Sequence, residues 1–331
     1  MTQASRRLPE PAAAPLASAS RFDASRVEAV VCIPTFRRPD MLATTLASIE
    51  AQTTKVAFAV VVVDNDAAAP VGLDVAQSFF RDGRLSGVAT VEPRQGNVHA
   101  INAAFRLARE RYPSAEYFLM IDDDERAEPQ WLDEMVACAR QGADIVGGPV
   151  TPIFPDEARR AFRDHPVFWP AFGETGPVPM IYGTGNCLLS RHVFDGLAVP
   201  SLDPSFNFLG GGDTEFFTRC RRAGFTFFWR QEAQIYEQVT PGRLELGWVL
   251  RRSLATGAIN YSIDRLAARS LRERLLLVAK NIALGPISLQ RALRMLRDSK
   301  HPLAAAHPIG IAIGRLLASV GLMPQPYRYS S

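Results

Sequence analysis

Three consecutive aspartates, Asp122, Asp123 and Asp124, close an apolar run, Tyr117-Phe118-Leu119-Met120-Ile121. A buried strand that ends in adjacent carboxyls gathers negative charge at the mouth of a sheet. That charge is costly unless a cation or strong donors offset it. A divalent metal is one such cation, and a hard metal held by two carboxylates commonly binds phosphates as well. The same residues also suit the acidic first turn of a helix in a solvated loop, since Glu125 and Glu128 follow. Two more polar clusters share the setting: Pro34-Thr35 after the β-branched run 27–33, and Asp64-Asn65-Asp66 after the run 57–63. A further carboxylate, Asp213, follows Gly210-Gly211-Gly212 and opens an apolar-periodic stretch through Phe217 and Cys220.

The elements that must carry these residues follow from periodicity. Strands are predicted at 27–33, 57–63, 87–91, 117–121 and 143–150, and helices at 40–52, 71–80, 98–111 and 129–140. Near-continuous apolar strands alternating with helices imply a parallel sheet covered on both faces, and in such sheets ligands bind beyond the carboxyl ends of the strands. Three polar clusters at those ends therefore fall on one edge. Residues 151–183 are Pro- and aromatic-rich and read as a long loop or lid over that edge, or as a surface excursion. The segment Gly183-Thr184-Gly185-Asn186 reads as a turn into a strand.

Several chemistries are excluded. The first strand leads into Pro34-Thr35-Phe36-Arg37 with no glycine-rich turn, and no GxxxxGK[ST] loop occurs, so neither dinucleotides nor triphosphates are bound by those devices. Cys32, Cys138, Cys187 and Cys220 lack CxxC spacing and sit among apolar neighbours; they read as reduced core residues of a cytosolic protein, not zinc ligands. Residues 1–26, rich in Ala, Ser, Pro and Arg, read as a disordered tail. The apolar segment 309–323 contains Arg315 and is too short to span a bilayer. The net charge is +3, but residues 243–300 hold twelve Lys and Arg against four Asp and Glu, leaving a net −5 elsewhere. A basic C-terminal third with apolar stripes (Leu271, Leu275 and Val278; Leu289 to Leu296) suits an anionic membrane surface, or a helical hairpin packed on the core. It carries no nucleic-acid recognition motif.

Together the segments "VCIPTFRRPDML" (31–42), "VVVDND" (61–66), "EPRQGNVHAINAAF" (92–105), "FLMIDDDERAEPQWL" (118–132), "IVGGPVTPIF" (145–154), "GTGNCLLSR" (183–191), "GGDTEFFTRCRRAGF" (211–225) and "EAQIYEQVTPGR" (232–243) resemble a family 2 glycosyltransferase of the bacterial exopolysaccharide, succinoglycan-like type. The resemblance covers roughly residues 28–250. It implies a GT-A-type, Rossmann-like α/β fold with helices on both faces of a mostly parallel sheet. A catalytic domain would span 27–250, with a basic amphipathic helical extension over 251–331.

The resemblance also assigns roles. Pro34, Thr35 and Arg37 would line the nucleotide pocket, Asp64 and Asn65 would meet the nucleoside, and Arg94, Gly96 and Asn102 would pack under it. Asp122 and Asp124 are the ends of a DxD motif holding a divalent metal (Mn or Mg) and the diphosphate, with Asp123 also in the nucleotide-sugar site. Asp213 matches the catalytic base, and Glu215 and Asn186 fall on the acceptor side. His99 would touch the sugar nucleotide, or be a helix residue facing the nucleotide loop without chemistry. Arg251 and Arg252 would neutralise diphosphate or form a solvated basic face. One base opposite the leaving group implies inversion, since retention by double displacement needs a second, nucleophilic carboxylate.

There are departures. Gly212 replaces the usual acidic neighbour of the base, and Tyr236-Glu237 stands where many relatives have a histidine. The QxxRW motif of processive enzymes is absent, so one sugar per binding event is expected. The expected activity is transfer of a hexose, as from UDP-glucose, to a lipid-linked or growing surface polysaccharide. The enzyme would be cytoplasmic or peripheral on the inner face of the cytoplasmic membrane. The rival readings are a polyprenyl-phosphate glycosyltransferase and a non-catalytic nucleotide-sugar or glycan-binding module; the latter has no need of a general base.

Overall fold

The structure is a computed structural model that describes residues 17–19, 23–299 and 302–322. The N-terminal expectation over 1–26 therefore lies largely outside the described residues, as does Met323. Ala17–Ala19 forms a short strand, β1, paired antiparallel with β4 (Gly87–Val91). Next to β4 stand β3 (Phe58–Asp64), β2 (Ala29–Thr35) and β5 (Tyr117–Met120), all parallel. Their runs are apolar throughout because both faces are covered. Val30, Cys32, Val61 and Val63 pack toward α3 (Asn97–Arg111) through Ile101 and Phe105. The alternate residues Val31, Ile33, Val60 and Val62 pack toward α1 (Pro39–Glu50), α2 (Val71–Arg81) and α4 (Trp131–Arg140).

Beyond β5 the parallel pattern breaks. β10 (Cys187–Ser190) inserts antiparallel between β5 and β7 (Ile145–Gly147). The sheet then ends with β11 (Phe227–Trp229), parallel to β7, and the antiparallel edge β9 (Gly176–Val178). The expected strand 143–150 is divided: Gly148-Pro149 carries the chain out of the large sheet into β8 (Val150–Ile153). β8 joins β12 (Ile235–Gln238) and β6 (Glu125–Ala127) in a second, three-stranded sheet. The expected loop 151–183 is pinned at several points, through β8, the single turn α5 (Arg160–Arg163), β9, and Phe168 stacked 5.6 Å from Trp248.

α6 (Arg191–Gly196) follows β10, and α7 (Gly212–Arg222) follows the triple glycine. Three helices end the chain: α8 (Leu246–Ala267), α9 (Leu271–Ser299) and α10 (Pro302–Ser319). α8 runs unbroken through residue 250 and is bound to the turn before α7. A Cβ on Gly211 would lie 2.2 Å from Ile259 Cγ2, and Phe206, Ile259 and Ile263 form a common cluster.

Candidate active site

The aspartate triplet forms a turn between the two sheets. Asp122 N–H donates to Glu125 Oε2 at 2.7 Å, and Glu125 then begins β6. The Thr45 hydroxyl on α1 shares its one proton between the carbonyls of Glu125 (2.7 Å) and Asp123 (3.0 Å), which fixes the turn's backbone. The middle side chain points back to β2: Asp123 Oδ2 accepts from Thr35 Oγ1 at 2.7 Å and Phe36 N–H at 3.3 Å. Arg38, which precedes α1, donates to Asp123 Oδ1 at 3.1 Å and Asp124 Oδ2 at 2.7 Å. Asp123 thus organises the turn, and Asp122 and Asp124 flank it.

Charge accumulates here. Burial, then Asp124, Asp123 and Glu237, pushes Asp122 up to about 8. Burial, then Asp122, holds Glu125 well above the usual carboxylate range. Glu237 on β12 is met by Arg243, whose guanidinium is also close enough to sense Asp124 and Arg38. Two guanidiniums thus approach a cluster of five acids from opposite chain segments.

Asp213 sits at the first turn of α7. Gly210 and Gly211 before it have φ of 82° and 83°, left-handed values that glycine adopts without strain. Asp213 Oδ1 accepts from Thr214 N–H at 2.7 Å, and burial raises the carboxyl above its ordinary value, against the pull of Arg252 on α8. The turn before β10 joins this carboxyl to the triplet. A Cβ on Gly183 would lie 3.9 Å from Asp213 Oδ2, and one on Gly185 would lie 2.8 Å from Glu125 Oε1 and 3.1 Å from Asp122 Oδ2. Cys187, two residues on, has its thiol raised first by burial and then by Asp122 and Asp213 alike. Asp122 and Asp213 therefore border one cleft floored by residues 183–187.

The β3 and β4 ends build its other side. Asp64 is fully buried and accepts from the N–H groups of Asp66 (2.9 Å), Gly72 (2.7 Å) and Leu73 (3.2 Å), tying β3 to the start of α2. Asn65 donates to the carbonyls of Glu92 (2.9 Å) and Arg94 (2.8 Å) and accepts from Gly96 N–H (2.6 Å), so it shapes the loop after β4. Arg94 is paired with Glu92 at 2.8 Å. Gly96, with φ of 126°, is pressed against Asn207, whose Oδ1 accepts from Val98 N–H. Arg37, with φ of 56°, turns away from the triplet to Asp66 at 2.5 Å.

Three other predicted residues are spent on structure. Asn102 is paired with both backbone groups of Leu202, at 2.8 and 2.9 Å. Asn186 bridges Trp131 Nε1, Pro149 O and Ala233 O within 2.9 Å. Glu215 is held by Arg219 at 2.8 Å. Sequence reasoning passed over Arg38, Glu125, Glu237 and Arg243 as members of the cluster. Glu125, a fourth acid after a buried strand, was the readable signal.

The donor set suits a hard divalent cation, because Asp122 and Asp124 supply carboxylate oxygens in an over-charged cleft. Among the described residues, no group of three or more His, Cys, Asp or Glu side chains is arranged to hold a metal ion, so Asp122 and Asp124 would supply only part of a shell. A cation here would complete its shell with phosphate oxygens and water, as Mg²⁺-type sites commonly do.

A family model described as glycosyl transferase family 2 matches residues 30–195. The succinoglycan biosynthesis protein ExoM of Rhizobium meliloti (strain 1021) is 30% identical over 266 residues, covering 76% of this chain and 78% of that protein. Mannosyltransferase PcManGT from Pyrobaculum calidifontis, solved with GDP-Man and Mn²⁺, superposes with a TM-score of 0.57 at 17% identity, over 93% of this chain and 90% of that one. S. aureus TarS 1-349, solved with UDP, gives 0.50 at 15% identity over 89% and 92%. The structural likenesses establish the fold, which is that of the GT-A glycosyltransferases.

Proposed function

The chain belongs to glycosyl transferase family 2, and from that membership we propose that it moves one hexose from a nucleoside diphosphate sugar, such as UDP-glucose, to a saccharide acceptor on a lipid carrier during surface polysaccharide assembly. The observation that carries this reading is the single cleft shared by Asp122 and Asp213 across Gly183 and Gly185. The nucleoside would lie along the β2 and β3 ends, against Pro34, Thr35, Arg37 and Asn65, with Asp64, Arg94, Gly96 and Asn102 shaping the floor. Asp122 and Asp124 would hold a divalent cation, which when bound neutralises the diphosphate.

Asp213 faces the same cleft and accepts the proton of the acceptor hydroxyl as its oxygen attacks the anomeric carbon. The bond from that carbon to the diphosphate oxygen breaks, and the nucleoside diphosphate leaves with the electron pair. Attack opposite the leaving group inverts the centre. Burial raises Asp213, which makes it a better proton acceptor than an exposed aspartate. Arg38 and Arg243, each held on an acid of the cluster, are placed to exchange that partner for the departing diphosphate.

Nucleotide release from a panel of UDP-, GDP- and dTDP-sugars, with and without Mn²⁺, tests the reading. Asp213→Asn should cut turnover by about 10²- to 10⁴-fold while nucleotide binding persists. Unchanged turnover in that variant would sink it.

A further inference from the structure

Each of the last two helices leaves one apolar stripe uncovered. On α9 the stripe is Leu275, Val278, Ile282, Leu289 and Leu293, spaced so that all fall on one helical face; Ile282 is 70% exposed. On α10 it is Ile309, Ile313 and Leu316, with the same period, and Val320 is exposed just past the helix end. The sole charged residue of α10, Arg315, points the other way. It is 3% exposed and donates to Asp264 at 2.7 Å and Asn281 at 3.0 Å. An outward face free of charge on one helix, beside a leucine-rich stripe on its neighbour, exceeds what a solvated surface ordinarily shows.

The border of the α9 stripe is basic. Arg272, Arg294 and Arg297 lie on one flank of it and Arg291 is exposed further round, whereas Lys280 turns to Asp264 of α8 at 2.7 Å. Against these stand Glu273, which closes the helix start on Ser270, and Asp298, paired with Arg297. Among the described residues, no helix is long and apolar enough to cross a membrane. Apolar residues that cannot span, rimmed by arginines, are the pattern of a helix lying in the plane of an anionic interface.

We propose that the exposed face of α9 and α10 docks on an anionic lipid bilayer, with the helices in the membrane plane and the arginines on the headgroups. A second copy of the chain fits worse. Pairing α9 with itself would set its arginine-rich flank against the same flank, with no acidic row to receive it. α8, packed on α10 through Gly257 and Gly314 and on the Asp213 turn through Ile259, would hold the cleft at a fixed distance from the lipid. The inference stands on the surface alone and does not require the catalytic reading.

Full-length protein is sedimented with vesicles of phosphatidylglycerol and phosphatidylethanolamine, and separately with phosphatidylcholine vesicles. The protein should pellet with the anionic vesicles only, and less so in high salt. Ile282→Glu and Leu293→Glu, both at exposed positions, should lower partitioning at least tenfold. Arg272→Gln and Arg294→Gln should each lower it about fivefold, with nucleotide binding unchanged in all four. Protein that stays in the supernatant with both vesicle types overturns the proposal. So does a wild-type dimer in sedimentation velocity that Ile282→Glu converts to monomer, which would assign the face to a second copy. Vesicle binding is read without turnover, so its failure is distinct from a failure of the glycosyltransferase reading.

Discussion

Of the two glycines beside the acids, Gly185 is the more closely pressed. Its backbone is conventional, so alanine is allowed there by φ and excluded only by space: the added methyl would press on Glu125 and Asp122. Glu125 cannot retreat far, because it is buried and held by Asp122 N–H at 2.7 Å. Gly185→Ala should therefore raise the donor KM by about tenfold or more while costing roughly 1–3 kcal/mol of stability. Calorimetric titration with UDP and Mn²⁺ checks this, and an unchanged affinity would place the diphosphate elsewhere. Arg243→Gln should weaken diphosphate binding by about 10- to 100-fold, the range for a lost charge-assisted hydrogen bond. Binding of uridine, which has no phosphate, should be unaffected, so comparing the two ligands isolates the guanidinium's contribution. Adjacent arginines show what sequence conceals at this scale. Arg37 and Arg38 look interchangeable as text, yet the positive φ of Arg37 sends it to Asp66 and leaves Arg38 to reach Asp123 and Asp124. That choice depends on backbone geometry imposed by the turn from β2 into α1.

At the scale of elements, the segment before β9 is clamped to the C-terminal helices by a histidine pair. His165 is fully buried, its Nδ1 accepts from Val167 N–H at 3.1 Å, and its ring meets that of His307 on α10 at 5.2 Å. His307 in turn contacts Ser253 on α8 at 2.7 Å, and burial, then Arg252, disfavours its charged form. Burial, then His307, depresses His165 to about 4. The folded state thus keeps this ring neutral where the unfolded chain, titrating near 6.5, takes up a proton. Stability should be full above about pH 6.5 and fall as the pH drops toward 4, by on the order of 3 kcal/mol from this residue. Denaturant melts across that window should show the loss, and His165→Phe should flatten it; a wild-type profile without slope would refute the account. Elements of this kind are hard to read from sequence. The parallel strands, their helices and the polar clusters at their ends were legible because continuous apolar runs bounded by helices admit few arrangements. The antiparallel insertion of β10 between β5 and β7, the break at Gly148-Pro149 and the short β6 after the triplet were not. They depend on pairings between distant segments, which local periodicity does not encode.

Over the whole molecule, α8 joins the Asp213 turn to the terminal helices, and it packs on α10 by backbone contact. A Cβ on Gly257 would lie 2.0 Å from Ile311 O, and one on Gly314 would lie 2.0 Å from Leu254 O. No side chain can move aside at either point, so a single methyl must separate the two helices. Gly247 in the first turn of α8 offers a contrast, since its Cβ position meets only the far end of the Arg251 side chain, at 3.2 Å. There alanine displaces a flexible guanidinium and otherwise lowers the entropy of the unfolded chain and raises helix propensity. The same substitution should thus have opposite signs. Gly247→Ala should stabilise by up to about 1 kcal/mol, and Gly257→Ala should destabilise by roughly 1–3 kcal/mol. Because Ile259 on the same helix abuts Gly211, the displacement at Gly257 should also reach Asp213 and lower kcat, leaving nucleotide affinity set by the β2 and β3 ends unchanged. Chemical denaturation together with a kcat and KM comparison of the two variants checks this. If Gly257→Ala lost stability with kcat intact, the helices would serve as a separate scaffold, mechanically independent of the cleft.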